Sequence, residues 1–488
     1  MKIIIKSKQE TKTIECQEEE TLLGILIKNH FTISAPCGGN GTCKKCKVLI
    51  EDSVSKRYVL ACRTKIKEDT IVFLDDSDGN GLIYSKFNYK YKFDYTEGFG
   101  VALDIGTTTL AYYLVNLSNG DIIDSHSELN SQMVFGADVI SRIKACIEGK
   151  LPELNNSIIS TVDKTLEYFI KKHSLKEIEK VVVSGNTTML HLFSNTDASS
   201  LGKVPFTPKF LDLKQLNGSE IGVNAKKVIL MPSFSSFVGA DIVCGALSTE
   251  VLSKNSILID IGTNGEILLN YDGKIMTSST SAGPAFEGSE IECGIGGVSG
   301  AISEIELVND KLKYKTIDNA PVIGLCGSGL FDAIAIMLKK GIINSFGAFE
   351  IDNNKYYISA NVYVSQKDVR QFQLAKSAIR SGIDTLIETA KVDISEIEKI
   401  YIAGGLGYYI SPQSLIEVGL IPKELQNKIE VVGNTSLAGS YLALMSGECI
   451  KCGIEIAKKA IDVDLTTSKI FMDNFTKNML FNGDEYEI

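Results

Sequence analysis

Val101-Ala102-Leu103-Asp104-Ile105-Gly106-Thr107-Thr108-Thr109-Leu110 reads as a buried strand, a tight polar turn and the start of a second strand. Ile257-Leu258-Ile259-Asp260-Ile261-Gly262-Thr263-Asn264-Gly265-Glu266 repeats the design 156 residues later. In each copy an Asp ends an apolar strand and a Gly-Thr turn follows, so backbone N–H groups and hydroxyls stand beside a carboxylate. Such a turn suits phosphate oxygens, with the carboxylate orienting Mg²⁺ or its waters. One D-x-G-T turn is an ordinary hairpin closure; two at domain-scale separation imply two related α/β lobes.

Further turns point the same way. Gly404 and Gly405, in Ile402-Ala403-Gly404-Gly405-Leu406-Gly407, follow a strand beginning near Lys399 and permit close backbone approach to a base or ribose. Ile323 to Asp332 places glycines ahead of an apolar helix, a setting that suits an anion. Val181 to Leu190 and Val431 to Gly439 each read as strand, Gly-Asn-Thr turn and helix. Each of these turns taken alone is also an ordinary helix cap.

A second kind of chemistry stands at the N-terminus. Cys37, Cys43, Cys46 and Cys62 follow the order C-x5-C-x2-C, then fifteen residues and a fourth Cys. On a loop made pliable by Gly38, Gly39 and Gly41, four such thiolates can turn toward one [2Fe–2S] cluster. The first gap is one residue longer than the plant-type spacing. Tetrahedral Zn²⁺ would also accept four cysteines, but three glycines around the first ligand favour the cluster. Strands are expected over 2–6, 11–16, 48–51 and 70–74, and a short amphipathic helix over 21–29. That order resembles the β-grasp fold of [2Fe–2S] ferredoxins, with a shorter interval before the last cysteine than most of them show.

Composition bounds the rest. At 488 residues the chain calls for several domains. Eleven cysteines without a secretory signal argue for a reducing, cytoplasmic setting rather than a disulfide framework. No apolar run is long enough for a membrane span, and a formal charge of −10 disfavours nucleic acid. The charge is uneven: residues 1–75 carry 13 Lys and Arg against 10 Asp and Glu, and the remainder 37 against 50. Lys44, Lys45, Lys47, Lys56, Arg57, Arg63, Lys65 and Lys67 form a basic rim near the cysteines, either solvated or docking on an acidic surface. Neither G-x-G-x-x-G after a strand nor G-x4-G-K-[ST] occurs, which excludes a built-in dinucleotide domain and a P-loop.

The paired turns resemble the superfamily of sugar kinases, heat-shock chaperones and actin, whose two duplicated ribonuclease-H-like lobes clamp ATP. On that resemblance Asp104, Gly106, Thr107 and Thr108 form the first phosphate motif. Asp260, Gly262, Thr263 and Asn264 form the second, and Gly404 and Gly405 the adenosine motif. The whole chain resembles the reductive activators of corrinoid proteins, through the joined ferredoxin and ATPase and through segments 185–189, 281–288 and 433–439. The resemblance implies a [2Fe–2S] cluster, ATP and Mg²⁺ as cofactors, and Asp104 and Asp260 in the metal–phosphate chemistry. It implies as partners a corrinoid protein of a methyltransferase system and an external electron donor, and leaves room for a homodimer.

The expected organisation is an α/β multidomain chain. It comprises a β-grasp ferredoxin domain (1–75), a linker (76–98), a first ATPase lobe (99–250), a second (251–460) and a C-terminal segment packing on them (461–488). Larger members of the family carry a middle domain; the short linker here suggests that it is missing. Alternative functions are ATP-driven activation of another redox enzyme, such as a dehydratase, and a redox-sensing ATP-binding regulator. Cys449, Cys452, Cys293, Cys326 and His191 read as packing residues.

Overall fold

The structure, a computed structural model, describes residues 1–6, 11–16, 20–29, 31, 46–53, 55–74, 90–405 and 409–481. Cys37, Cys43, Lys44, Lys45 and most of the linker lie outside them.

The N-terminal domain contains β1 (Lys2–Lys6), β2 (Thr11–Glu15), α1 (Leu22–Lys28), β3 (Lys47–Glu51), β4 (Lys56–Leu60) and β5 (Thr70–Phe73). Its sheet has the order β2-β1-β5-β3-β4, with β1 parallel to β5 and the other pairs antiparallel. Ile3 and Ile5 alternate inward along β1 and meet Leu22, Ile25 and Leu26 of α1 in one core with Val48, Ile50 and Val72. The sequence did not announce β4. Lys56 and Arg57 are exposed on a sheet edge, where charged residues are tolerated and the apolar alternation is weakest.

The next lobe holds β6 (Phe99–Ile105), β7 (Thr109–Asn116), β8 (Ile122–Leu129), α2 (Val139–Ile147), α3 (Leu151–Lys172), β9 (Lys180–Gly185), α4 (Thr187–Phe193), β10 (Lys214–Asn217), α5 (Gly218–Ile221), β11 (Lys227–Leu230) and α6 (Ala240–Ser248). Its sheet order is β10-β11-β9-β6-β7-β8. The hairpin β6–β7 is antiparallel, while β9 lies parallel to β6 on its other side. Strands buried on both faces explain the continuous apolar runs Val101–Leu103 and Val181–Val183.

The last lobe runs through β12 (Ser256–Ile261), β13 (Gly265–Tyr271), β14 (Lys274–Thr280), β15 (Ala301–Val308), β16 (Lys311–Thr316), β17 (Gly324–Leu325), α7 (Gly327–Lys339), β18 (Lys355–Tyr357), β19 (Tyr363–Ser365) and α8 (Gln366–Ala390). It continues with β20 (Lys399–Ala403), α9 (Pro412–Glu417), β21 (Ile429–Gly433), α10 (Thr435–Met445), α11 (Gly447–Lys459), β22 (Ile461–Asp462) and α12 (Lys469–Asn478). Its principal sheet is β21-β20-β12-β13-β14-β22, again an antiparallel hairpin with a parallel strand beside its first member.

Two helices lock the lobes together. Each follows the outer parallel strand of its own sheet, α6 after β11 and α10 after β21, and they pack on each other. A Cβ at Gly439 would stand 2.1 Å from the Cys244 carbonyl oxygen, so glycine is needed for that close approach. Every residue of α10 is buried.

Two peripheral segments are tied down. In the strap 90–98, Phe93 meets Tyr441 edge-on at 5.9 Å. The Asp94 N–H donates to the Met445 carbonyl (2.8 Å), and Asp94 Oδ2 accepts from the Gly447 N–H (2.8 Å). At the other end α12 lies on α8, where the buried Lys376 ammonium donates to the Leu480 carbonyl (2.6 Å) and Gln373 Nε2 to that of Met479 (2.7 Å). No helix among the described residues is long and apolar enough to cross a membrane.

Candidate functional site

A cavity of about 290 Å³ opens between the two larger lobes, and both Asp-Ile-Gly-Thr turns line it. Asp104, Gly106, Thr107 and Thr108 come from one lobe; Asp260, Gly262, Thr263 and Asn264 from the other; Gly404 and Gly405 also stand in its wall. All ten residues that the sequence nominated for the nucleotide and its chemistry thus face one space.

The two turns close differently. The first hairpin pairs Ile105 with Leu110 and leaves four residues in its loop, closed by the Gly106 N–H donating to the Thr109 carbonyl (3.0 Å). The second pairs Ile261 with Gly265 and leaves three, closed by the Gly262 N–H on the Asn264 carbonyl (3.0 Å). Side chains of the same lobe brace the first turn, two of them buried. Asn130 Nδ2 donates to the Gly106 carbonyl (2.8 Å), Asn186 Nδ2 to Thr107 Oγ1 (3.1 Å), and the fully buried Arg142 guanidinium to the Thr107 carbonyl.

The aspartates differ more. Asp104 accepts hydrogen bonds from Ser436 Oγ (2.7 Å) and Asn434 Nδ2 (2.9 Å) at the N-terminus of α10, where Asn434 also caps the helix through the Leu437 N–H (2.8 Å). Burial raises its pKa, and these two donors oppose the rise. Asp260 has no such donors among the described residues. Burial first, then the charges of Asp241, Asp104 and Glu287, push it up to about 8. Across the hairpin its register partner is Glu266, whereas the partner of Asp104 is Ala111. Burial and the charges of Asp241 and Asp260 raise Glu266 strongly. Asp241, in the first turn of α6, is raised by burial and by Asp104. Gly404, at φ +97°, packs so closely that a Cβ would stand 2.6 Å from Asp260 Oδ1 and 2.5 Å from the Ile261 carbonyl.

Sequence reading missed Asp241, Glu266, Glu287, Asn434 and Ser436 as cavity residues. Glu266 had a legible signal, an acid in an otherwise apolar strand. Glu287 lay inside a segment singled out only for its resemblance.

Among the described residues no three acidic, His or Cys side chains converge closely enough to cage a metal ion.

In the N-terminal domain Cys46 is buried ahead of β3 and Cys62 sits in the turn after β4. The Cys62 N–H points at Cys46 Sγ at 3.5 Å, and the Ala61 N–H donates to the Cys46 carbonyl (2.8 Å). Two thiols brought together at the open end of the β3–β4 hairpin, with a backbone N–H aimed at one sulfur, fit half of a cluster-binding set. Cys37 and Cys43 lie outside the described residues.

The demoted residues are packed. His191 is buried, with Nδ1 against the Thr187 carbonyl (2.7 Å) and Nε2 accepting the Lys209 N–H (3.0 Å), and burial lowers its pKa to about 4. Cys449 is buried; Cys452 is half-buried and accepts the Tyr91 hydroxyl at 3.7 Å. Cys293 is half-buried, whereas Cys326 is buried and reaches the cavity wall at the start of α7.

A ferredoxin-type iron–sulfur domain joined to an ATPase domain of the actin and heat-shock chaperone class is the combination that fold and comparison define. The description "2Fe-2S iron-sulfur cluster binding domain" matches residues 5–67. The RACo middle region matches 99–254, and the C-terminal, ASKHA domain of RACo matches 254–488. The chain belongs to the RACo family. The middle-region match falls on the first large lobe.

RamQ, a corrinoid activation enzyme of Eubacterium limosum, is 29% identical over 584 residues, covering 97% of this chain and 98% of that one. A Co(II) methylated amine-specific corrinoid protein reductase of Methanosarcina barkeri is 26% identical over 416 residues, covering 77% and 76%. A solved reductive activator for corrinoid, iron-sulfur protein aligns with a TM-score of 0.75 at 27% identity, covering 98% of each chain.

Proposed function

We propose that this protein is an ATP-dependent reductive activator that passes a low-potential electron to the Co(II) corrinoid of a methyl-transfer protein and restores Co(I). The observation that carries the reading is the pair of Asp-Ile-Gly-Thr turns facing one cavity, in a chain whose N-terminus matches an iron–sulfur domain. The finer architecture follows. A β-grasp ferredoxin domain occupies 1–75, a linker 76–98, and two duplicated ribonuclease-H-like lobes 99–250 and 251–460. Residues 461–488 form a C-terminal segment that packs on the ATPase domain.

Cys37, Cys43, Cys46 and Cys62 hold a [2Fe–2S] cluster, which supplies one-electron chemistry when bound. Gly106, Thr107 and Thr108 on one side, and Gly262, Thr263 and Asn264 on the other, receive the phosphates of ATP through backbone N–H groups and hydroxyls. Gly404 and Gly405 leave room for the adenosine. Asp104 and Asp260 orient Mg²⁺ and its waters, and the unpaired acidity around Asp260 makes that half the stronger attractant for the cation. Without a dinucleotide domain the protein depends on an external electron donor. Neither nucleic acid nor a membrane is assigned as a partner, and a homodimer is compatible with the chain.

The energetic need is clear. Plant-type clusters lie near −400 mV, roughly, and corrinoid Co(II) is harder to reduce, so transfer is uphill in isolation. A coupling free energy of about 1–3 kcal/mol corresponds to about 40–130 mV for one electron. The test is a visible spectrum of the anaerobic, reduced protein mixed with its Co(II) corrinoid protein, with and without ATP. Co(I) is expected to appear only with ATP; equal reduction without it would overturn the reading.

A further inference from the structure

One carboxylate oxygen is shared by both phosphate turns. Glu287 Oε2 accepts the hydroxyl of Thr263 at 2.6 Å and that of Thr108 at 3.3 Å. The two threonines belong to different lobes, and Glu287 lies in the cavity wall between them. These are the hydroxyls assigned above to phosphate oxygens, so the following proposal rests on the ATP-binding reading of the cavity.

Among the described residues no Lys or Arg lines this cavity, whereas Asp104, Asp241, Asp260, Glu266 and Glu287 all do. A phosphate and the Glu287 carboxylate are both anionic acceptors, and they cannot take the same hydroxyl pair together. The cation whose field reaches Glu287 is Arg142, buried behind Thr107. Its charge lowers the Glu287 pKa that burial raises.

The backbone around Glu287 is closely packed on either side of it and faces open space at Gly296. Phe286 is fully buried, packed against Phe331 at 4.7 Å and Phe372 at 5.3 Å, and so anchors the turn on one side. Gly288 follows at φ +77°, where a side chain would be strained and a Cβ would stand 2.5 Å from the Ile295 carbonyl. Beyond Ile295, Gly296 and Gly297 line the cavity, and no atom lies within 4 Å of a Cβ built on Gly296. Glu287 can therefore leave the threonines toward the 295–297 stretch while Phe286 holds its place.

We propose that Glu287 is an anionic latch across the two phosphate turns, displaced by the terminal phosphate of a nucleoside triphosphate, so that its release reports a bound triphosphate to the 284–297 loop. The latch is an intramolecular competitor. It lowers apparent affinity by the fraction of molecules in which the hydroxyls are taken, and removing its charge returns that fraction. It acts as a positioning and sensing residue rather than as a reacting group.

The test uses the full chain with Mg²⁺ and AMP-PNP, ADP or AMP in calorimetric titrations of the wild type, Glu287→Gln and Glu287→Ala. Both variants are expected to bind AMP-PNP about tenfold more tightly than the wild type, with AMP binding unchanged. In the wild type, amide exchange in residues 284–297 should quicken with AMP-PNP and not with AMP. Weaker AMP-PNP binding by Glu287→Gln would make Glu287 a cation ligand and overturn the latch. Equal changes for AMP-PNP and AMP, unchanged AMP-PNP affinity in both variants, or wild-type exchange in 284–297 that AMP-PNP leaves unaltered, would also overturn it. A folded wild type that binds none of the three nucleotides would instead remove the ATP reading beneath it.

Discussion

The two Asp-Ile-Gly-Thr hairpins share a motif and have opposite surroundings. Asp104 is held by two donors from α10 and faces Ala111 across its hairpin. Asp260 faces Glu266, feels Asp241, and has no donor among the described residues. The helices that supply these neighbours also correspond, since Ser436 and Asp241 each stand in the first turn of the helix after an outer strand. A hydroxyl at one position and a carboxyl at the other tie the first half to α10 and make the second a cluster of carboxyl groups that burial and mutual repulsion keep protonated. Repeated sequence thus yields division of labour, because the unlike residues come from elsewhere in the chain.

The comparison is most easily broken at Asp260. Asp260→Asn is expected to lower ATP-dependent Co(I) formation by about 100-fold or more, measured as the initial rate with saturating partner. It should also change stability in the opposite sense. The folded pKa of Asp260, about 8, lies above that of an ordinary carboxylate. The folded protein therefore holds protons that the unfolded chain releases, and stability without nucleotide falls as pH rises between about 4 and 8. Thermal melts of Asp260→Asn should be flatter across that window and higher at pH 8. A variant less stable than wild type at pH 8 would contradict the charge account.

Asp104→Asn should behave differently. Its new NH₂ group would meet the donors Ser436 and Asn434, leaving buried groups unsatisfied at a cost of about 1–3 kcal/mol, read by denaturant melts near neutral pH. Gly404→Ala places a methyl against Asp260 and the Ile261 carbonyl at a positive φ. It should weaken nucleotide binding about tenfold, since 1.4 kcal/mol of strain suffices. The smallest effect belongs to Ser436→Ala, which removes one of the two donors to Asp104 and should cost about 1 kcal/mol. Here the ATP dependence of reduction should be retained, although weakened. If Ser436→Ala and Asp260→Asn lost activity equally, the proposed division of labour would fail.

Much of this site was legible because phosphate-binding turns are local: Asp, Gly and Thr lie within five residues in each copy, and glycine marks where backbone must approach. The donors to Asp104 were not. Asn434 and Ser436 lie more than 300 residues away and read as an ordinary helix cap, and the packing of α10 against β6 brings them to the first turn. Asp241 was hidden for the same reason. Glu287 was hidden because a Gly-rich loop has no periodicity from which to infer where a side chain points. In the N-terminal domain β4 escaped notice because an edge strand shows solvent a charged face.

The central claim is that ATP makes cobalt reduction attainable from a low-potential cluster. The most direct measurement is a redox titration of the Co(II)/Co(I) couple of the corrinoid protein in complex with this protein, with Mg²⁺ plus AMP-PNP and with Mg²⁺ alone. The account predicts a more positive apparent midpoint with the nucleotide, by about 40–130 mV, and no shift with Asp260→Asn. An identical midpoint with and without the nucleotide in the wild-type complex would contradict it.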